Sequence, residues 1–369
     1  MLKAPANALR RSVPNALQPR SAFRGLNSSL AQQRAFHVFR DVPSLRNHRR
    51  ELLLNGKTIG LVPTMGALHN GHLSLARMAA EENAEVFVSI YVNPTQFGVN
   101  EDLDSYPKTW DTDIAQLEEL DSELKSKGKG RITTIFAPTS KTMYPTLPPD
   151  STLPGTGSFV TVTPLANLLE GKSRPVFFRG VATVCMKLFN IVQAERVYFG
   201  QKDVQQTVII RRMVEDFHLN TEVRIGPTER EADGLAMSSR NVYLGERRRK
   251  VGIVLHQALK AAEAAYKMGK RSRDDVLTLA WDVASRMSME QEQLSAQDGA
   301  RFEVDYLSLA DPDTLEEVDV VDGGKGAVLS GAIKMMPVEA VRDGEKLGLG
   351  DDKVPVRLID NLILEPLKA

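Results

Sequence analysis

LVPTMGALHNGHLSL, residues 61–75, joins an apolar run to a glycine turn and then to the start of a helix. The run ends at Pro63, Gly66 and Gly71 fall within the turn, and His69 and His72 stand three residues apart, on one face of the helix that follows. Strand, turn and helix N-terminus in this order bring backbone N–H groups and two imidazoles to where a nucleotide's phosphates would lie. Gly66 and Gly71 let the backbone approach such a ligand closely. Either histidine alone reads equally well as a cap or a core residue; the pair in this glycine setting points to phosphate.

Outward from this stretch, residues 41–227 alternate short apolar runs with amphipathic segments. KTIGLVPT (57–64), AEVFVSIYV (84–92), TTIFAP (133–138), RVYFG (196–200) and TEVRIGP (221–227) read as strands. HLSLARMAAEEN, DTDIAQLEELDSELKS and VATVCMKLFNIVQ carry helical periodicity between them, which predicts an α/β fold with a parallel sheet covered by helices. Ligands of such sheets bind at the carboxyl ends of the strands, so the glycine turn and the Asn93-Pro94-Thr95-Gln96 segment should face one cleft. From residue 228 the character changes to a smaller α+β domain, 228–369. A charged helical stretch from Glu246 to about Gln293 precedes three strand-like runs at 301–311, 326–335 and 355–364. Residues 336–353, rich in glycine and charge, read as a surface insertion. KSKGKGR (125–131) reads as a solvated loop; without interleaved aromatics its charge does not point to nucleic acid.

Composition narrows the class. The chain has 369 residues, 42% of them hydrophobic, and zero formal charge, which suits an ordinary globular protein of two domains of roughly 150 residues each. No run approaches the ~18 apolar residues of a membrane span. The single Cys185 excludes an intrachain disulfide framework and reads as core packing in VATVCMKLFNIV. Residues 1–40 carry Lys3, Arg10, Arg11, Arg20, Arg24, Arg34 and Arg40, several serines and no acidic residue. They read as a mitochondrial leader, the alternative being a disordered basic tail on a cytoplasmic protein. No apolar segment of a secretory signal follows the basic residues.

Two more clusters carry chemistry. GQKDVQQ (200–206) begins where RVYFG ends: Lys202 offers a mobile charge, Asp203 a carboxylate for ribose or Mg²⁺, and the glutamines neutral amides for a polar substrate. DGLAMSSRN (233–241) offers two hydroxyls and a guanidinium able to follow charge as it moves onto leaving phosphates. Gly171-Lys172-Ser173 ends like a P-loop, but the glycine required five residues earlier is Ala166.

Taken in order, PTMGALHNGHLSL, VNPTQFGVNEDLDSYPKT, GKSRPVFFRGVATVCMKLFNIV, GQKDVQQ and EADGLAMSSRN resemble the pantothenate synthetase, or pantoate-β-alanine ligase, family in a eukaryotic, fungal-type form. The resemblance covers about residues 40–310 and resumes at RLIDN. It implies a Rossmann-like nucleotide domain of the HIGH-motif adenylyl-transfer superfamily, with H-N-G-H as the signature, a smaller C-terminal domain, and a homodimer. It also implies the reaction: pantoate attacks the α-phosphate of Mg·ATP to give pantoyl adenylate and pyrophosphate, and β-alanine then displaces AMP. On this resemblance Met65, Gly66, Ala67, Leu68, His69, Asn70, Gly71 and His72 form the ATP-binding turn, with His72 as proton donor and His69 its phosphate-binding companion. Gln96 and Gln206 hold pantoate, with Asn93 near them. Gly200, Gln201, Lys202 and Asp203 contact adenosine and phosphate, with Lys202 stabilising developing charge. Met237, Ser238, Ser239 and Arg240 play the part of the KMSKS loop. The partners implied are ATP, pantoate and β-alanine, with no nucleic acid, no membrane and no protein-held metal site.

Three positions depart from the pattern. Gln201 replaces a common glutamate, Phe177 stands where bacterial members often have histidine, and Glu229 occupies a frequent valine position. Other users of an H-x-G-H turn fit less well. A nucleotidyltransferase for a phosphorylated substrate would not be expected to pair that turn with N-P-T-Q-F and K-D-V-Q-Q. A tRNA synthetase needs a basic tRNA-binding region that the last 140 or so residues lack. A nucleotide-binding regulator predicts the loss of one cluster, and all are present.

Overall fold

Apolar runs that bury both of their faces form the central sheet. In β2 (Ile59–Thr64) and β3 (Glu85–Ile90) almost every residue is buried, as parallel strands covered by helices on both sides require. Neighbouring residues go to opposite cores: Leu61 and Phe87 pack on one side, Val62, Val86 and Val88 on the other. With β1 (His37–Phe39), β4 (Arg131–Phe136), β5 (Arg196–Gly200) and β6 (Glu222–Gly226) they make a six-stranded parallel sheet in the order β1-β4-β3-β2-β5-β6. This computed structural model describes residues 36–99, 101–146, 148–153, 155–350 and 353–366.

Helices α2 (Asn70–Glu82) and α3 (Trp110–Ser126) cover one face through Ala76, Ala79, Leu117, Leu120 and Leu124. The other face is covered by α1 (Val42–Leu54), α6 (Phe177–Val192) and α7 (Val204–Asp216), through Leu45, Val181, Leu188 and Ile209. The short turns α4 (Ser140–Met143) and α5 (Glu170–Ser173) lie in the long connection before α6. The P-loop look-alike at 171–173 is the end of α5, where Ser173 Oγ donates to Asp305 rather than lining a phosphate cradle. The basic segment at 125–131 splits between the end of α3, a turn and the start of β4. One boundary moves: residues 1–40 read as leader, yet β1 at 37–39 pairs with β4, so the sheet begins inside that stretch. Residues 1–35 of the leader lie outside the described residues.

The stretch from Glu246 to Gln293 is three helices rather than one. Those helices are α8 (Gly245–Val251), α9 (Val254–Lys267) and α10 (Arg273–Gln293). Gly269 in the left-handed region (φ +91°) helps end α9, and Ser272 caps α10 by accepting from the Asp275 N–H. Strands β7 (Phe302–Ala310), β8 (Ala327–Met335) and β9 (Val356–Leu364) form an antiparallel sheet in that order. Because Met335 pairs with Val356, the supposed surface insertion is the loop of a β8–β9 hairpin. It is not loose: Glu345 pairs with Arg247, both side chains nearly buried, and Leu349 N–H donates to the Val242 carbonyl at 2.8 Å. Residues 35–369 form one compact unit, so the change near residue 227 is a change of sheet.

Candidate active site

From β2 the sheet continues one way through β3 and β4 and the other way through β5 and β6, so the carboxyl ends of β2 and β5 flank a topological switch point. A cavity of about 220 Å³ opens there, lined by Pro63, Thr64 and Met65 at the end of β2 and by Phe199, Gly200 and Lys202 at the end of β5. The chain leaves β2 through Gly66 (φ +83°) and Ala67 (φ +51°). A side chain at 66 would meet the Asp113 carboxylate and Ile90 within 3.3 Å, so conformation and space both call for glycine.

Asp113, on α3 and only 1% exposed, organises this turn. Its two oxygens accept from the N–H groups of Ala67 (3.0 Å) and Leu68 (2.9 Å), and Thr109 Oγ1 adds a third bond. Gly66 N–H donates to Thr64 Oγ1. The amides that sequence reasoning aimed at a phosphate are therefore engaged within the protein. Gly66, Ala67, Leu68 and Asn70 do not line the cavity; Met65, His69, Gly71 and His72 do.

The two histidines cap α2 and lie with ring centroids 4.2 Å apart. Nδ1 of His69 accepts from Gly71 N–H (3.1 Å), and Nδ1 of His72 accepts from His69 N–H (3.4 Å). With each Nδ1 used as an acceptor, the ring proton sits on Nε2, where it is available to a ligand. Burial, with Lys202 nearby, pushes His69 down to about 4. Burial, His69 and Lys202 push His72 down to about 3. At neutral pH, with no ligand bound, both rings are uncharged and offer Nε2–H to the cavity.

Asn93 and Gln96 follow β3. Asn93 Nδ2 donates to Gln96 Oε1 (3.0 Å) and to the Gly180 carbonyl (3.1 Å), while its Oδ1 accepts from Thr95 (3.1 Å) and Tyr144 (2.6 Å). Asn93 is thus consumed by the protein and orients Gln96, whose NH₂ remains to meet a ligand. Across the cavity the second amide is Gln206, whereas Gln205 is buried, bonding Glu170 N–H and the carbonyls of Leu165 and Leu168.

Lys202 and Asp203 lie in a 3₁₀ turn after β5, with Lys202 Nζ 3.8 Å from the Asp203 carboxylate, and both line the cavity. Gln201 does not; its side chain turns to Asn361. Met237, Ser238, Ser239 and Arg240 close the opposite wall, and Ser239 Oγ donates to the Ala67 carbonyl (3.0 Å), docking this loop on the glycine turn. Arg240 is engaged: Nε and Nη2 donate to Asp102 at 2.9 and 2.8 Å, beside the rings of Phe97 and Tyr106. Although burial opposes its charge, the Asp102 carboxylate raises the guanidinium further above its usual range. Phe177, Lys202, Asp203, Ser238 and Arg240 also line an adjoining cavity of about 610 Å³.

Sequence reasoning missed Asp102, Asp113, Tyr91 and Tyr106. Asp102 and Tyr106 sit inside the VNPTQFGVNEDLDSYPKT motif and were visible there; Asp113 lies in ordinary helical periodicity and left no signal. Glu229, set aside as a departure, lines the cavity, as does Cys185 from α6, whose thiol burial pushes up to about 12. Among the described residues no three His, Cys, Asp or Glu side chains converge as a metal site.

Helix-covered parallel strands with a histidine-capped helix at the switch point define a nucleotide-binding α/β protein of Rossmann-like build. The model of the pantoate-beta-alanine ligase family matches residues 37–363, and the chain belongs to that family. A pantothenate synthetase of Roseiflexus castenholzii is 45% identical over 307 residues, 83% of this chain and 92% of that one. The crystal structure of pantothenate synthetase from Thermus thermophilus superposes with a TM-score of 0.69 at 35% identity, covering 89% of this chain and 99% of that one. The pantoate-beta-alanine ligase of Francisella tularensis, in a crystal structure described as complexed with beta-gamma ATP and beta-alanine, gives 0.61 at 28% identity over 89% and 98%.

Proposed function

We infer that this chain condenses pantoate with β-alanine in an ATP-driven reaction that passes through pantoyl adenylate. The observation that carries the reading is that two neutral imidazoles, one lysine, one arginine and the two glutamines Gln96 and Gln206 share a single cavity at the switch point. In the first step a pantoate carboxylate oxygen attacks the α-phosphorus, the bond to the bridging oxygen breaks and pyrophosphate leaves. In the second, the amine of β-alanine attacks the acyl carbon and AMP leaves. Nε2–H of His69 and His72 donate to phosphate oxygens without adding a full charge. Lys202 and Arg240 balance the charge that builds on the leaving pyrophosphate, Arg240 exchanging Asp102 for phosphate oxygens. Gln96 and Gln206 bind pantoate's hydroxyls and carboxylate. With no activated nucleophile in the cavity, positioning and charge neutralisation do the work.

Mg²⁺ enters with the nucleotide as Mg·ATP. The cavity carries two carboxylates, Asp203, beside Lys202, and Glu229, too few for a protein cage, which fits an ion held mainly by phosphates and water. The reading extends to a homodimer, as the resemblance implies, and to a mitochondrial location on the strength of the acid-free leader, with a cytoplasmic tail as the alternative. Mass spectrometry of the purified chain with ATP, pantoate and β-alanine tests the reaction: pantothenate and AMP are expected, and formation of ADP, or of no product, overturns it.

A further inference from the structure

Strand β9 belongs to the small sheet, yet one of two adjacent residues on it bonds the turn that carries Lys202 and the other bonds Arg230, at the start of the loop that carries Arg240. Asn361, 1% exposed, donates through Nδ2 to the backbone carbonyls of Gln201 and Lys202, both at 2.9 Å, across about 160 residues of sequence. Its Oδ1 accepts from Gln201 Nε2 at 3.2 Å. All of the amide's hydrogens and its oxygen are thereby used on one 3₁₀ turn, Gln201–Asp203. The preceding residue, Asp360, takes both ends of the Arg230 guanidinium, at 2.6 and 2.8 Å. Arg230 in turn bonds the Gly234 carbonyl, within the loop that runs on to Met237–Arg240.

A three-residue 3₁₀ turn has too few internal bonds to hold a long lysine stem in place, so its position depends on what binds its carbonyls. We propose that Asn361 is a positioning residue for adenylation: it fixes the backbone from which Lys202 reaches the phosphates, while Asp360 fixes the base of the loop that carries Arg240. This rests on the reading of Lys202 as the group that stabilises charge in the first step. A glutamine at 201 fits the arrangement. Asn361 spends both N–H bonds on carbonyls and presents only an oxygen, which a glutamine NH₂ can satisfy and a carboxylate at 201 would repel.

The test is ATP–pyrophosphate exchange in the presence of pantoate, with the full chain carrying Asn361→Ala, Asn361→Ser, Asn361→Asp or Lys202→Ala. Asn361→Ala is expected to lower kcat by about ten- to a hundredfold with the pantoate KM within about twofold of the parent, because the amides that hold pantoate lie elsewhere in the cavity. Asn361→Ser keeps one donor and should lose less. Asn361→Asp turns a carboxylate on two carbonyl oxygens and should lose more than alanine. A residue that only stabilised the sheet would lower the melting temperature without this graded loss or this separation of kcat from KM. Parent-like exchange in Asn361→Ala, or a pantoate KM that rises as far as kcat falls, overturns the proposal. Should alanine unfold the chain, parent-like exchange in Asn361→Ser does the same. Parent-like exchange in Lys202→Ala removes the underlying reading and the proposal with it. A Lys202→Ala defect beside a normal Asn361 series removes the proposal alone.

Discussion

His69 and His72 sit at a helix N-terminus, where the partial positive charge disfavours a cation, and each spends Nδ1 on capping that helix. Burial depresses both, to about 4 and about 3. A group held below its unfolded value binds fewer protons in the folded state, so its stability is full above about pH 6.5 and is lost as pH falls toward the folded value. Each histidine is expected to cost up to about 1.4 kcal/mol per pH unit within that window. The carboxylates held low by arginines, such as Asp102 and Asp305, act only below their ordinary value of 3.8 and leave this window to histidines, His48 among them, which burial and His37 also lower. Urea midpoints between about pH 7.5 and 5 measure the effect. A chain carrying both His69→Gln and His72→Gln should show a much shallower slope, and an equal slope would remove the assignment. The histidines were legible as a pair with phosphate chemistry, but their charge state was not, because it depends on burial by segments far away in sequence.

Helix α6 approaches the Asn93–Gln96 turn so closely that a Cβ at Gly180 would stand 2.5 Å from the Gln96 backbone nitrogen. That approach lets the Gly180 carbonyl accept from Asn93 and holds the turn at the mouth of the cavity. Gly180→Ala must therefore push helix and turn apart. We expect the pantoate KM to rise about tenfold or more while the ATP KM stays within about twofold, since the two histidines are held at the start of α2, on a different element. Steady-state kinetics against each substrate decides it; equal rises in both constants would point to general loosening. At this scale five of the six parallel strands were readable because each carries a short apolar or β-branched run, whereas the three-residue β1 was not. Helices α1 and α7 were not. The first, VPSLRNHRRELLL, is too charged for its apolar stripe to stand out, and the second begins within a motif read for its chemistry. Residues 336–353 looked like free surface because their anchors, Arg247 and Glu345, are ordinary surface residue types that happen to be buried together.

The parallel and antiparallel sheets are joined by charge as well as by packing. Arg357 on β9 donates to Glu170 and to Asp305, each at 2.9 Å, and Arg174 reaches the same Glu170 oxygen at 3.1 Å. Arg174 also pairs with Glu101 and stacks over Phe177, 3.7 Å from the ring centre. Removing one partner of so enclosed a network leaves the others desolvated and uncompensated. Arg357→Met is expected to cost about 3 kcal/mol in urea unfolding, somewhat relieved by the arginine that Glu170 keeps. A loss below about 1 kcal/mol would show that these pairs are solvated like surface ion pairs.

Local periodicity and motif order sufficed for the α/β class, the five long strands of the parallel sheet, the three antiparallel strands and the family, because burial of strand faces and a glycine turn leave their mark on neighbouring residues. Tertiary structure alone decided which polar groups face a ligand and which face each other. Asp113 takes the Ala67 and Leu68 amides from 46 and 45 residues away, Asp102 holds Arg240 from 138, and Asn361 holds the Lys202 turn from 159. Hydrogen bonds and desolvation act over a few ångströms of space, and no pattern of adjacent residues records which distant segments come that close.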